Sequence, residues 1–181
     1  MNINDLEDSC KEYKENEGRE RFYDIALSIV DDHPLQASII ILSTWNSASF
    51  GFKMSNPENI KNLMESMETC KPLFDKIKDK EIQTANLDEI RDVIKEVYRI
   101  LSKVQLIKYT GASKVMHLIN RNLFVMWDGF IRKGYGFGTD AEDYFNFLKL
   151  MQSDFKGIKW NDKSKTLAKA IDEYNYVKFS L

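Results

Sequence analysis

Residues 106–136 read LIKYTGASKVMHLINRNLFVMWDGFIRKGYG. One lysine, Lys114, follows the glycine of an expected tight turn, and one aspartate, Asp128, comes fourteen residues later. Both stand among apolar residues, where a charge is costly unless it has a partner or a chemical task. The spacing predicts that one helix ends at Leu106 and that Lys108, Tyr109, Thr110 and Gly111 turn the chain. A second helix then starts at Ala112, with Val115, Leu118 and Ile119 inward. Two helices joined by a glycine turn leave backbone N–H groups free at the start of the second, which suits an anion such as a DNA phosphate. A plain helical corner is the alternative.

Working outward, helical periodicity continues in both directions. Upstream, Ile90, Val93, Ile94, Val97, Tyr98 and Leu101 form a full stripe, with Asp88 expected as its cap. Residues 35–50 (LQASIIILSTWNSASF) follow Pro34 and are apolar nearly all round from Ala37 to Leu42, which favours a central buried helix ending in a polar stretch over 43–47; the Ile-Ile-Ile-Leu run also admits a strand. Ile60, Leu63, Met64 and Met67 mark another helix, and Pro72 is expected to open a short one with Leu73, Phe74 and Ile77. The first two helices are expected around Leu6, Cys10 and Tyr13, and around Phe22, Ile25, Ala26, Ile29 and Val30. Downstream, Thr139 and Glu142 suggest a capping box for a helix with Tyr144, Phe147, Leu148 and Met151. A final helix over 164–176 carries Leu167, Ala168, Ile171 and Tyr174. Tyr135 and Phe137, set among Gly134, Gly136 and Gly138, form a loop that either wedges into an opened duplex or simply connects two helices. The fold class is all-α. One domain is expected over 1–181, with N-terminal helices in 1–33, a core in 34–136 holding the hairpin near 104–120, and C-terminal helices in 137–181.

Composition narrows the function. A hydrophobic share of 43% in 181 residues supports a real core. No apolar run approaches a membrane span, and the acidic, polar start MNINDLEDSC matches neither a signal nor a transit peptide, so a soluble cytoplasmic protein is expected. Cys10, Cys70, His33 and His117 lack metal spacing, so no metal, cluster or cofactor is expected. Net charge is −2, yet residues 103–133 hold six basic residues against Asp128 alone. That local +5 leaves −7 on the rest, the footprint of a polyanion docking at one place or of two solvated helix faces.

Three elements together resemble the helix-hairpin-helix DNA glycosylase superfamily, especially its lysine-using 8-oxoguanine glycosylase/AP lyase branch. Residues 40–48 (IILSTWNSA) resemble its buried first helix, 110–114 (TGASK) its G-x-G-x-K hairpin, and 127–132 (WDGFIR) its aspartate segment, in the family's order over about 35–136. Thr110 and Ala112 occupy the positions of the two family glycines, with Gly111 between them, and the interval to Asp128 is shorter than is usual there.

The resemblance implies excision of a damaged base, plausibly an oxidised purine, from double-stranded DNA, with Lys114 and Asp128 catalytic. Such chemistry needs an amine to attack deoxyribose C1′ and form a Schiff base, so the lysine pKa must fall through burial or a helix N-terminus. A carboxylate then serves the departing base and the oxocarbenium-like charge. Thr110, Gly111, Ala112, Ser113, Lys108 and Arg132 are the expected DNA contacts, and Trp45, Asn46 and His117 the expected base pocket. Two alternatives stand beside this: a Lys114–Asp128 salt bridge that merely locks two helices, and a non-catalytic helical protein that binds nucleic acid or a protein partner.

Overall fold

The computed structural model describes residues 2–45, 47–51 and 53–181. The protein is 66% helical, with no strand among the described residues. The Ile-Ile-Ile-Leu run is therefore helical.

Helix α1 (Ile3–Asn16) opens on a capping box in which the Asp5 N–H donates to the Asn2 side chain at 2.9 Å and the Asp5 carboxylate answers the Asn2 N–H. Helices α2 (Glu20–Ile29), α3 (Pro34–Trp45) and the single turn α4 (Ser47–Phe50) follow. Helix α2 turns Tyr23 and Ala26 inward and leaves Phe22 and Ile25 exposed, one step round from the expected face. Asn56 caps α5 (Pro57–Asp75), which runs through Pro72 instead of restarting there. The missing N–H forfeits only one bond near the end of the helix, and Cys70 and Phe74 stay buried on either side.

Helix α6 (Arg91–Lys103) begins at Ile90 without a side-chain cap. Asp88 instead accepts from Lys149 Nζ at 2.8 Å. Helix α7 (Lys108–Ile119) comes next, then α8 (Gly129–Gly134) and α9 (Ala141–Asp154). Asp140, not Thr139, caps α9, taking the Glu142 and Asp143 N–H groups at 2.8 and 2.9 Å. The Glu142 carboxylate reaches across to Arg91 and Lys95 on α6 and is not free for a capping box. Helix α10 (Leu167–Ser180) starts at Thr166, whose hydroxyl donates to the Arg121 carbonyl at 2.7 Å.

The central helix is α7, not α3. Every residue of α7 from Gly111 to Leu118 is buried, whereas α3 buries Ala37, Ser38, Ile41 and Leu42. Helices α6 and α3 pack on α7; α6 also meets α5 and α9, and α10 is packed by α1 and α8. The α6–α7 connection spans residues 104–107, ahead of the expected glycine turn. Leu106 and Ile107 are drawn fully into the core, and Lys108 reverses the chain with a φ of 54°. The Gly111 N–H already donates to the Ile107 carbonyl at 3.1 Å, so Gly111 is helical.

Between α7 and α8, residues 123–127 leave the helix and run through the interior, all five side chains buried. Buried backbone must find partners. The Trp127 N–H donates to Ser113 Oγ at 3.1 Å, and the Tyr144 hydroxyl donates to the Val125 carbonyl at 3.0 Å. Asn120 Nδ2 donates to the Ile77 carbonyl at 2.7 Å, while its Oδ1 accepts the Leu123 N–H at 3.2 Å. The Trp127 ring closes the layer edge-on to Tyr98 and Tyr144, at 6.0 and 5.1 Å. This fixed segment delivers Asp128 to the surface of the core.

Candidate functional site

Lys114 projects from α7, and Asp128 sits at the end of the buried segment. Both line one cavity of about 280 Å³, shared with Trp45 at the end of α3, Tyr13 from α1, and Asp172 from α10. Lys114 is only 9% exposed. Its Nζ donates to the main-chain carbonyl of Trp45, one of the carbonyls a helix C-terminus leaves without an intrahelical donor. Burial lowers the Lys114 pKa from 10.5 to about 8, and Arg19 adds to this, against the upward pull of the Asp128 and Asp172 carboxylates. Desolvation wins, so on the order of a tenth of Lys114 is neutral amine at pH 7.

Asp128 caps α8. Its Oδ1 accepts the Phe130 and Ile131 N–H groups, both at 2.8 Å, and its Oδ2 accepts from Ser180 Oγ at 3.1 Å. No ion pair within 4.0 Å joins Lys114 to Asp128, so the interlocking salt bridge is not formed.

The other expected residues divide. Thr110 lines the cavity and Lys108 is exposed at the start of α7. Gly111, Ala112 and Ser113 are buried inside α7 and offer no surface to a phosphate, a correction that follows from the earlier helix start. Arg132 is spent on the loop after α8: its Nη1 donates to the Phe137 and Gly138 carbonyls at 2.6 and 3.2 Å, and its guanidinium lies 5.5 Å from the Tyr109 ring. Tyr135 and Phe137 pack on Phe147 at 6.0 and 6.3 Å, so the aromatic loop connects helices and holds no free wedge. Arg121 lines a different cavity, of about 560 Å³, and does not join Lys108 in a basic face around Lys114.

Trp45 lines the Lys114 cavity with its ring stacked 5.5 Å from Tyr23 and its indole N–H buried without a partner. Asn46 lies outside the described residues. His117 is fully buried and does not line the cavity. A carbonyl can only accept, so His117 Nδ1–H donates to the Phe124 carbonyl at 2.6 Å, leaving Nε2 to accept the Tyr23 hydroxyl at 2.7 Å. Burial pushes its pKa down to about 3, which keeps it neutral. It is a structural histidine, not part of a base pocket.

The comparisons are negative. No family model, curated protein or solved structure matches the chain. Among the described residues, no group of three His, Cys, Asp or Glu side chains is placed to hold a metal ion, and no helix is long and apolar enough to cross a membrane.

The apolar spacing predicts the helix over 164–176 but not the charges that α10 buries. Lys169, Asp172 and Glu173 are buried there: Lys169 Nζ meets Asp172 Oδ2 at 2.8 Å and Glu173 Oε1 at 3.3 Å. The ammonium also lies 4.5, 5.2 and 5.3 Å from the Tyr13, Trp45 and Tyr23 rings. The available signal was the run LAKAIDE, in which Lys169, Asp172 and Glu173 stand at i, i+3 and i+4, so that a cation and two carboxylates share one helix face. Residues 167–173 are all buried, so these charges must meet partners inside.

Proposed function

We propose that the chain is a divergent helix-hairpin-helix DNA glycosylase with associated lyase activity, acting on a damaged base, plausibly an oxidised purine. One observation carries the reading: a buried lysine of lowered pKa and a carboxylate line the same cavity without pairing. Lys114 attacks C1′ as the amine, and Asp128, fixed by two amides and a hydroxyl, stabilises the positive charge that develops on the sugar. Trp45 lines the cavity in which an extruded base would sit. Lys108 supplies a phosphate contact at the start of α7, beside Lys53. The neighbouring Lys108 ammonium lowers the Lys53 pKa, and two like charges held together favour an anion between them.

Borohydride trapping on duplex DNA with an abasic site or 8-oxoguanine tests this. The wild type is expected to form a covalent adduct and Lys114→Gln none. Absence of a wild-type adduct, or equal trapping by the variant, overturns the reading.

A second reading has its own support. Lys114 donates to the last carbonyl of α3, as a purely structural lysine does, and the hairpin residues 111–113 are buried. On that reading the chain is a non-catalytic helical protein that binds nucleic acid or a protein. Steep loss of duplex affinity with salt, but no trapping, marks nucleic-acid binding; no duplex affinity at all marks the protein-binding form.

A further inference from the structure

Helix α10 faces the Lys114 cavity twice. Ser180 holds Asp128, and Asp172, eight residues earlier and so about two turns along the same face, lines the cavity itself. The two carboxylates are held differently. Asp128 accepts three hydrogen bonds across both oxygens, two of them from backbone amides. Asp172 is held by one donor, Lys169 Nζ on Oδ2. That donor cannot leave, since three aromatic rings and Glu173 enclose it.

We infer that Asp172 is a catalytic residue, the proton acceptor for Lys114 and the donor to the sugar oxygen; this rests on the glycosylase reading. The step balances without any co-reactant. The Lys114 Nζ lone pair forms the N–C1′ bond while the glycosidic C1′–N bond breaks, its electron pair leaving on the base. The resulting Nζ, bearing two hydrogens and a positive charge, gives one proton to Asp172. The neutral amine then expels O4′ from C1′ to give the protonated Schiff base, and Asp172 returns the proton to O4′. Burial raises the proton affinity of Asp172 against the pull of Lys169, which suits a group that must hold a proton briefly. The charged groups facing this pair are Lys169 and Glu173 on α10, Asp128, and Glu17 and Arg19 between α1 and α2, with the Tyr13 hydroxyl on α1.

Single-turnover trapping on an abasic duplex, followed from pH 6 to 9 for Asp172→Asn and Asp172→Ala, tests the role. At pH 7 both variants are expected to trap at least tenfold more slowly with duplex affinity within twofold of wild type, and added formate is expected to restore Asp172→Ala severalfold. Trapping at the wild-type rate, loss that merely tracks duplex affinity, or no formate rescue overturns the assignment while leaving the glycosylase reading intact. Should the wild type itself fail to trap, the glycosylase reading falls and the coupling is read on free protein. NMR titration of ¹³C-methylated Lys114 is then expected to move to lower pH in Asp172→Asn, and an unmoved titration removes Asp172 as its partner.

Discussion

Lys114 donates to the carbonyl of Trp45 and not to Asp128, although both side chains open on the same cavity. Each charge is anchored to backbone from a different direction: the lysine to the end of α3, the aspartate to the first amides of α8. A direct pair would neutralise both in place. Held apart, the amine keeps a lowered pKa and the carboxylate stays available to a ligand between them.

That arrangement has a stability signature. The Lys114 pKa is about 8 when folded and near 10.5 when unfolded. Between these values the unfolded chain binds a proton that the folded one does not, so stability rises with pH across that window. The full span corresponds to ~3 kcal/mol, of which the part below pH 10 is readable before the buried tyrosines titrate in the unfolded chain and reverse the slope. Urea melts at pH 7.5, 8.5 and 9.5 are expected to show wild type gaining on Lys114→Met by ~2 kcal/mol. Parallel pH curves would falsify the buried-amine assignment.

His117 gives the opposite end of the pH range. Its pKa falls from 6.5 to about 3 on folding because burial strips water from the ring, and this outweighs the upward pull of the bond to the Phe124 carbonyl. The unfolded chain therefore takes up a proton below pH 6.5 that the native ring refuses, and stability drops as pH falls. From pH 6.5 to 5, above the range where carboxylates dominate, the loss is ~2 kcal/mol. Thermal melts of His117→Gln should show a flatter slope over that interval. An unchanged slope would assign the acid sensitivity elsewhere.

The helices were legible because their apolar residues repeat at helical spacing, as in α6 and α9. What the spacing could not convey is which helix lies innermost. The run of Ile residues in α3 outscores α7 in hydrophobicity, yet α7 is the one enclosed, because its small residues Gly111, Ala112 and Ser113 let α3 and α6 close around it. The turn was misplaced for a related reason. Glycine at 111 suggests a reversal, but burial of Leu106 and Ile107 forces it earlier, onto Lys108. Lys114 and Asp128 were legible as charges in apolar surroundings. Asp172 was not, since nothing local ties residue 172 to residue 114; only the packing of α1 and α8 on α10 brings that helix to the cavity.

Ser113 is the link between the buried segment and the site. Its hydroxyl accepts the N–H of Trp127, one residue before Asp128, at 3.1 Å and donates to the Thr110 carbonyl at 2.9 Å. Ser113→Ala leaves the Trp127 amide without an acceptor in a dry interior, at a cost of about 1–3 kcal/mol. Urea denaturation is expected to show that loss. In the same variant any borohydride trapping should weaken more than duplex binding, since Asp128 moves while Lys108 does not. A variant as stable as wild type would show that water replaces the hydroxyl.

Lys108 combines strain with exposure, and the two separate in one substitution. With a φ of 54° it occupies the left-handed region, which costs a side-chain-bearing residue about 1–2 kcal/mol. Its N–H still donates to the Val104 carbonyl at 2.9 Å, so glycine keeps the turn and its hydrogen bond while removing the strain. After the added freedom of glycine in the unfolded chain, Lys108→Gly is expected to gain ~1 kcal/mol in a urea melt. The ammonium is lost at the same time, leaving Lys53 alone at the start of α7. If this is where a phosphate docks, duplex affinity falls and the slope of log affinity against log salt shrinks by about 1. Greater stability with unchanged duplex binding would retain the turn geometry and move the phosphate contact away from α7, whereas a loss of stability would count against the left-handed turn itself.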